Sequence, residues 1–154
     1  MILRLAAGVL LLFVMACSND SSPKGDQVEF DVKVLKNDAA IADFVNRHPE
    51  WPVIKYARAD LNNDGRQDVV IIYRIAKDTN RMRVVLDIGG KYSDTNEAPA
   101  PLYDQSIVFR DIDKKPPVEF IVQGRKGAKI GYAIFRIENE QLIDIFGEGM
   151  EDCC

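Results

Sequence analysis

The stretch Asp60-Leu61-Asn62-Asn63-Asp64-Gly65-Arg66-Gln67-Asp68 runs straight into Val69-Val70-Ile71-Ile72. Oxygen-bearing side chains stand at its first, third, fifth and ninth positions, with glycine at the sixth. The β-branched run behind it predicts a strand. Calcium is a hard cation that takes about six to eight oxygen ligands, so a tight loop with alternating side-chain oxygens suits it. Gly65 permits the sharp turn that gathers Asp60, Asn62 and Asp64 round one point, with the Arg66 carbonyl and Asp68 as further ligands. Without an ion, the same residues make an Asx-rich turn held by its own side-chain hydrogen bonds.

A fainter copy follows in Asp111-Ile112-Asp113-Lys114-Lys115-Pro116-Pro117-Val118-Glu119, which leads into Phe120-Ile121-Val122. Asp111 and Glu119 keep the spacing of Asp60 and Asp68, and Asp113 stands in the place of Asn62. Lys115 replaces Asp64 and Pro116 replaces Gly65, so this copy is expected to have lost the central carboxylate and the ion. Behind each copy come a strand, a basic turn (Lys77 to Arg81; Arg125 to Lys129) and another strand. Two related β-units follow from this, too few for a closed propeller. An EF-hand would need glutamate where Ile71 stands, inside a strand. Loop 60–68 resembles instead the calcium loops of FG-GAP and VCBS-type repeats, where this pattern enters a β-strand. The resemblance implies a structural calcium ion.

Outward from the two loops, alternation and turn chemistry predict strands at Val28–Leu35, Val53–Ala59, Val69–Ile75, Met82–Ile88, Ser106–Arg110, Val118–Gln123, Ile130–Ile137 and Gln141–Phe146. Ser93 to Pro101, rich in Ser, Asp, Asn, Glu and Pro, reads as a loop. Asn37 or Asp38 offers an N-cap for one helix through Ile41, Phe44 and Val45, stopped by His48-Pro49. The expected fold is mainly β (α+β), an antiparallel sheet of two related β-units with one N-terminal helix, within a single domain at 28–146.

Charge and composition limit the function. The 154 residues are 47% hydrophobic and carry a formal net charge of −4. That apolar fraction excludes disorder, and the mild acidity argues against nucleic acid as a partner. His48 is the sole histidine, which excludes a histidine-cluster metal site. No catalytic residue is assigned. At the N-terminus, Arg4 precedes an apolar segment from Leu5 to Met15, too short to span a bilayer as a helix. It ends Val14-Met15-Ala16-Cys17, which resembles the lipobox of bacterial lipoprotein signal peptides. The resemblance implies a signal peptide at 1–16, cleavage after Ala16 and a diacylglyceryl thioether on Cys17. Residues 17–27 then read as a polar tether, and the protein as extracytoplasmic and lipid-anchored to a bacterial membrane.

Only Cys17, Cys153 and Cys154 carry thiols. With Cys17 lipidated, no partner remains for a disulfide joining distant parts of the chain. Residues 147–154, with Gly147 and Gly149, read as a flexible arm bearing adjacent cysteines. A vicinal disulfide, an intermolecular bridge, or a dithiol handling soft metals or electrons remain open. Thiolates select soft cations, and two adjacent sulfurs can pass an ion between dithiols by ligand exchange. The surrounding acids raise the thiol pKa values, which disfavours a low-pKa catalytic cysteine but not metal capture, because a soft metal displaces the proton.

An exported chain ending in Cys153-Cys154 resembles the Cys-Cys-COOH (seleno)proteins of selenocysteine-assisted organometal gene clusters. That resemblance implies binding and hand-off of mercury or an organometal, with a transporter or organometal-processing protein as partner. The expected function is therefore a carrier of thiophilic metal at Cys153 and Cys154. The alternatives are a thiol–disulfide redox protein using the same pair, and a calcium-stabilised FG-GAP-like binding module with an incidental tail.

Overall fold

Asp38 starts the helix α1 (Ala39–Arg47). Its backbone is extended, and its carboxylate accepts the Ile41 N–H at 3.1 Å. An aspartate here satisfies one of the N–H groups that a helix start leaves without a partner. Arg58 of the first strand pairs with the same carboxylate. Ala40, Ile41 and Phe44 form the buried face, and the His48 N–H closes the last turn on the Phe44 carbonyl at 2.9 Å. Pro49 follows, and a proline disfavours helical backbone in the residue before it. The computed structural model describes residues 37–148. The expected signal peptide, tether and strand at Val28–Leu35, together with Cys17, Cys153 and Cys154, lie outside the described residues.

Two antiparallel sheets follow, one for each unit. The first contains β1 (Val53–Ala59), β2 (Asp68–Ala76) and β3 (Thr79–Asp87), with β4 (Tyr92–Asp94) and β5 (Ala98–Ala100) both paired to the far edge of β3. The second runs β6 (Tyr103–Arg110), β7 (Glu119–Lys126), β8 (Lys129–Glu138) and β9 (Gln141–Glu148) in order. Among the described residues the fold is thus mainly β with one short helix, as the sequence predicts.

Several strands start or end a few residues from expectation, as β3 does at Thr79 and β6 at Tyr103, and two differences bear on the sheet edges. The segment 93–101 is not all loop, because β3 has a far edge whose backbone groups need partners. β4 and β5 supply them at either end, and between them Thr95 exchanges two bonds with Val84: its N–H reaches the Val84 carbonyl at 2.9 Å and its hydroxyl accepts the Val84 N–H at 3.0 Å. Pro99, which has no N–H, sits on this short outer strand, where its missing donor does no harm. The second difference is β9. It continues through Gly147, opposite Ala133, and Glu148, opposite Tyr132, so two residues of the expected tail belong to the sheet.

The layers are helix, first sheet, second sheet. Val69, Ile71 and Tyr73 of β2 share a core with Ile41 and Phe44 of α1. Val70 and Ile72, on the other face, share a second core with Phe120, Val122 and Phe135. Strands covered on both faces carry unbroken apolar runs, which accounts for Val69 to Tyr73. β7 is covered on one face only and alternates after Phe120. Across the seam, the Asn96 side chain donates to the Leu142 carbonyl at 3.1 Å and accepts the Leu142 N–H at 2.8 Å. Gly124 lies under Pro101, where an added Cβ would stand 2.4 Å from the proline Cβ.

The units repeat in register. Ala57, Val70 and Val84 are cross-strand neighbours in the first sheet, and Val108, Ile121 and Ile134 hold the same places in the second. Likewise Val69 corresponds to Phe120. Val69 faces the helix, whereas Phe120 faces the first sheet. The two units therefore stack head to tail, each presenting the same face in the same direction.

Candidate metal site

Both acidic loops join the first two strands of their unit, and both are built on one plan. In the first, Leu61 is fully buried and draws the loop down onto the core between the sheets. Its N–H donates to Asp68 Oδ2 at 2.9 Å, while Asp68 Oδ1 accepts the Asp87 N–H at 3.0 Å. The Asp68 side chain is fully buried. Burial pushes its carboxyl above the usual range, opposed by the two N–H donors and assisted by the charges of Asp64 and Asp60.

Above this base, Asp60, Asn62 and Asp64 close the turn. Asp60 accepts the Asp64 N–H at 3.1 Å and the Gly65 N–H at 2.8 Å, and Asn62 Oδ1 accepts the same Asp64 N–H at 3.1 Å. Asp64 Oδ1 accepts the Arg66 N–H at 2.9 Å, and its Oδ2 meets the Arg66 guanidinium at 3.0 Å. The Arg66 N–H bond, foremost, holds the Asp64 carboxyl below its ordinary value. Asn63 (φ 62°) and Gly65 (φ 83°) adopt the left-handed backbone that the tight turn requires.

The second loop keeps the plan despite its altered side chains. The Ile112 N–H donates to Glu119 Oε2 at 2.9 Å, as Leu61 does to Asp68, and the Lys115 N–H donates to Asp113 Oδ1 at 2.9 Å, as Asp64 does to Asn62. Lys114 (φ 60°) repeats the left-handed backbone of Asn63. Glu119 is 2% exposed. The two loops thus share two closing bonds and one left-handed position, which matches the repeat spacing of the sequence.

A calcium ion would find different things in the two loops. Asp60, Asn62 and Asp64 supply hard oxygens on a turn already closed by backbone donors, which fits the ion's chemistry. Asp68 serves as the base of the loop, its two oxygens engaged by Leu61 and Asp87. Arg66 meets Asp64 through both its N–H and its guanidinium. Among the described residues, the three acidic side chains whose oxygens lie within 4.8 Å of one another are Asp111, Asp113 and Glu119, in the second loop. Arg136 already places a cation there, with Nη1 at 3.1 Å from Asp113 and 3.4 Å from Glu119. No feature of the linear pattern links Arg136 to loop 111–119; the pairing of β7 with β8 does.

The loops meet at an open cleft of about 580 Å³ lined by Asn62 and Asp64 of the first loop, Pro117 of the second and Ile137 to Glu140 of the β8–β9 turn. Of its acidic lining residues, Asp64 is paired with Arg66 and Glu138 with Arg136. Elsewhere, Asp94 accepts both Arg47 nitrogens at 2.6 and 2.7 Å and lies 3.2 Å from His48. Burial works against the Asp94 anion, but Arg47 and His48 outweigh it and hold the carboxyl below its ordinary value. His48 stacks on Trp51, and Trp51 on Tyr73. The only histidine is thus a structural residue of the helix end. Compared with known family models, curated proteins and solved structures, the chain matches none.

Proposed function

We propose that this chain is an extracytoplasmic, lipid-anchored carrier that binds a thiophilic metal or organometal at Cys153 and Cys154 and passes it to a partner. The observation that carries the reading is the course of β9. It stays paired to β8 through Glu148, opposite Tyr132, so the two thiols follow five and six residues beyond a strand fixed in the sheet. A chain covers at most about 3.5 Å per residue, which limits the distance of the pair from the end of β9 to roughly 20 Å. A transporter or organometal-processing partner could receive the ion over that distance without the domain itself fitting into the receiving site.

The separation of ligand types supports the same reading. The described loops offer carboxylate, amide and backbone groups, which are hard and suit calcium; the cysteines are soft and suit mercury-like metals. Neither set competes for the other's ion. Capture of mercuric ion replaces two S–H bonds by two S–Hg bonds and releases two protons, so affinity falls as pH falls. An alkylmercury has one valence occupied, gains less from the second thiol, and moves on by exchange with a partner thiol. Cleavage of the carbon–mercury bond is not part of the proposal.

Calcium at Asp60, Asn62 and Asp64 would brace the loop structurally. The paired loop architecture also favours a second reading, a calcium-stabilised binding module with an incidental tail. Mercuric ion titration of the reduced full chain, with Cys153→Ser and Cys154→Ser variants, separates the two. Each single variant should lose affinity sharply under the carrier reading and none under the module reading. A reduction potential and turnover with a disulfide substrate test the redox alternative.

A further inference from the structure

The second sheet turns an apolar band outward. Val108, Ile121, Ile134 and Phe146 are successive cross-strand partners on β6, β7, β8 and β9, and none belongs to either core. Val108 is 44% exposed and Phe146 50%. Tyr132 lies against Phe146 with ring centroids 5.9 Å apart, and exposed Ile143 extends the band along β9.

This band has a counterpart inside the molecule. Register makes it equivalent to Ala57, Val70 and Val84 of the first sheet, and Val70 and Val84 are fully buried in the core shared with the second sheet. The same place in the unit is thus a sheet-packing face in one copy and an open face in the other. At the opposite end of the stack, α1 covers Val69, Ile71 and Tyr73. That helix blocks a second molecule from continuing the series head to tail. A second molecule can instead present its own open band.

We infer that two copies of this chain pack their second sheets face to face about a two-fold axis, with Val108, Ile121, Ile134 and Phe146 of each at the centre. Such a contact is self-complementary and closed, so it ends at a dimer and makes no filament. Strands about 4.8 Å apart and rising about 3.3 Å per residue give a face of roughly 400 Å² in projection, and on the order of 1,000 Å² of accessible surface for both partners. That is the lower end for a specific interface, so the dimer is weak and concentration-dependent. Beside the band, Arg125 is paired with Asp104 and Arg136 with Glu119 and Glu138, so these charges enter the contact as ion pairs.

Sedimentation velocity of the full chain under reducing conditions, from about 5 to 500 μM, tests this across the range expected for an interface of that size. Reductant removes any contribution from intermolecular disulfides. The expected result is a monomer–dimer equilibrium that Val108→Lys and Phe146→Lys each weaken by about tenfold or more, since a buried ammonium has no partner there. Both positions are already exposed, and unchanged melting curves would confirm that the variants fold. Ile75→Lys, at an exposed position on the first sheet, should leave the equilibrium unchanged. Monomer at every concentration, or association that survives both band substitutions, overturns the inference.

Discussion

Replacing Asp68 with alanine removes the acceptor for two N–H groups at once, those of Leu61 and Asp87. An unsatisfied buried donor costs about 1–3 kcal/mol, so the pair would cost about 2–6 kcal/mol. Part is returned, because the charged carboxylate is itself disfavoured by burial, as its raised pKa records. A net loss of about 3 kcal/mol is expected, or about 12 °C in melting temperature at about 4 °C per kcal/mol for a domain of this size. Glu119→Ala frees one backbone donor, Ile112, and one of the Arg136 contacts, while Arg136 keeps Asp113 and Glu138, so it should cost about half as much. Thermal unfolding followed by circular dichroism, in calcium and again in chelator, measures both. The Asp68→Ala loss should be the same in the two buffers, since Asp68 holds the base of the loop. A variant within about 0.5 kcal/mol of the parent would refute the keystone role. A loss seen only in calcium would make Asp68 a ligand instead.

Four further outcomes are expected. Millimolar calcium should raise the melting temperature by a few degrees, as a weak site with Kd near about 1 mM contributes about 1.4 kcal/mol at tenfold excess; Asp64→Ala should abolish the effect, and identical melts with calcium and chelator would leave only the ion-free turn. Asp94 has a lowered pKa in the folded state, so its stabilisation is present above the unfolded value and disappears as pH falls through the folded one. Asp94→Asn should therefore destabilise at neutral pH and converge with the parent in acid titrations. Gly124→Ala should cost about 1–3 kcal/mol in urea unfolding, because the new methyl meets Pro101 and the Tyr103 carbonyl, neither of which can rotate away. Cys17→Ala should release the protein from membranes on fractionation, and an intact mass showing an unmodified N-terminus at another residue would contradict the anchor.

Much of the fold is legible in the sequence because the strands advertise themselves. Val69 to Tyr73 is continuous and apolar since both faces are covered, and the hairpins at Lys77-Asp78 and Gly127-Ala128 have short, polar or glycine-bearing turns. The spacing shared by Asp60/Asp68 and Asp111/Glu119 reveals the duplication, and the closing hydrogen bonds repeat it in space. β4 and β5 are hidden because three-residue edge strands take their order from the strand beside them, and Pro99 and Asn96 look like loop residues. The relation of the loops to cations is only partly legible. Side-chain type marks Asp60, Asn62 and Asp64 as hard oxygen donors, but does not show that Asp68 is turned inward onto Leu61 and Asp87. Nor does it show that Glu119 meets Asp111, Asp113 and Arg136, since Arg136 arrives from another strand.

The open band is invisible for a similar reason. Val108, Ile121, Ile134 and Phe146 each read as an ordinary strand residue, and only the register across four strands lines them up. Head-to-tail stacking then distinguishes this face from its buried equivalent at Val70 and Val84. Local pattern determines which residues point the same way; the order of layers determines which of those faces is covered.

The most direct test of the carrier account is a competition titration of mercuric ion, using a small dithiol as competitor, against the reduced full chain and its Cys153→Ser/Cys154→Ser double variant. Adjacent thiols raise the effective concentration for the second sulfur bond, so the parent should hold the ion against the competitor at least about a hundredfold better than the double variant. Both proteins should show the same calcium-dependent melt, since the loop at Asp60 to Asp68 is untouched. Equal affinity in parent and double variant would contradict the account and leave the calcium-braced domain as a binding module whose tail takes no part.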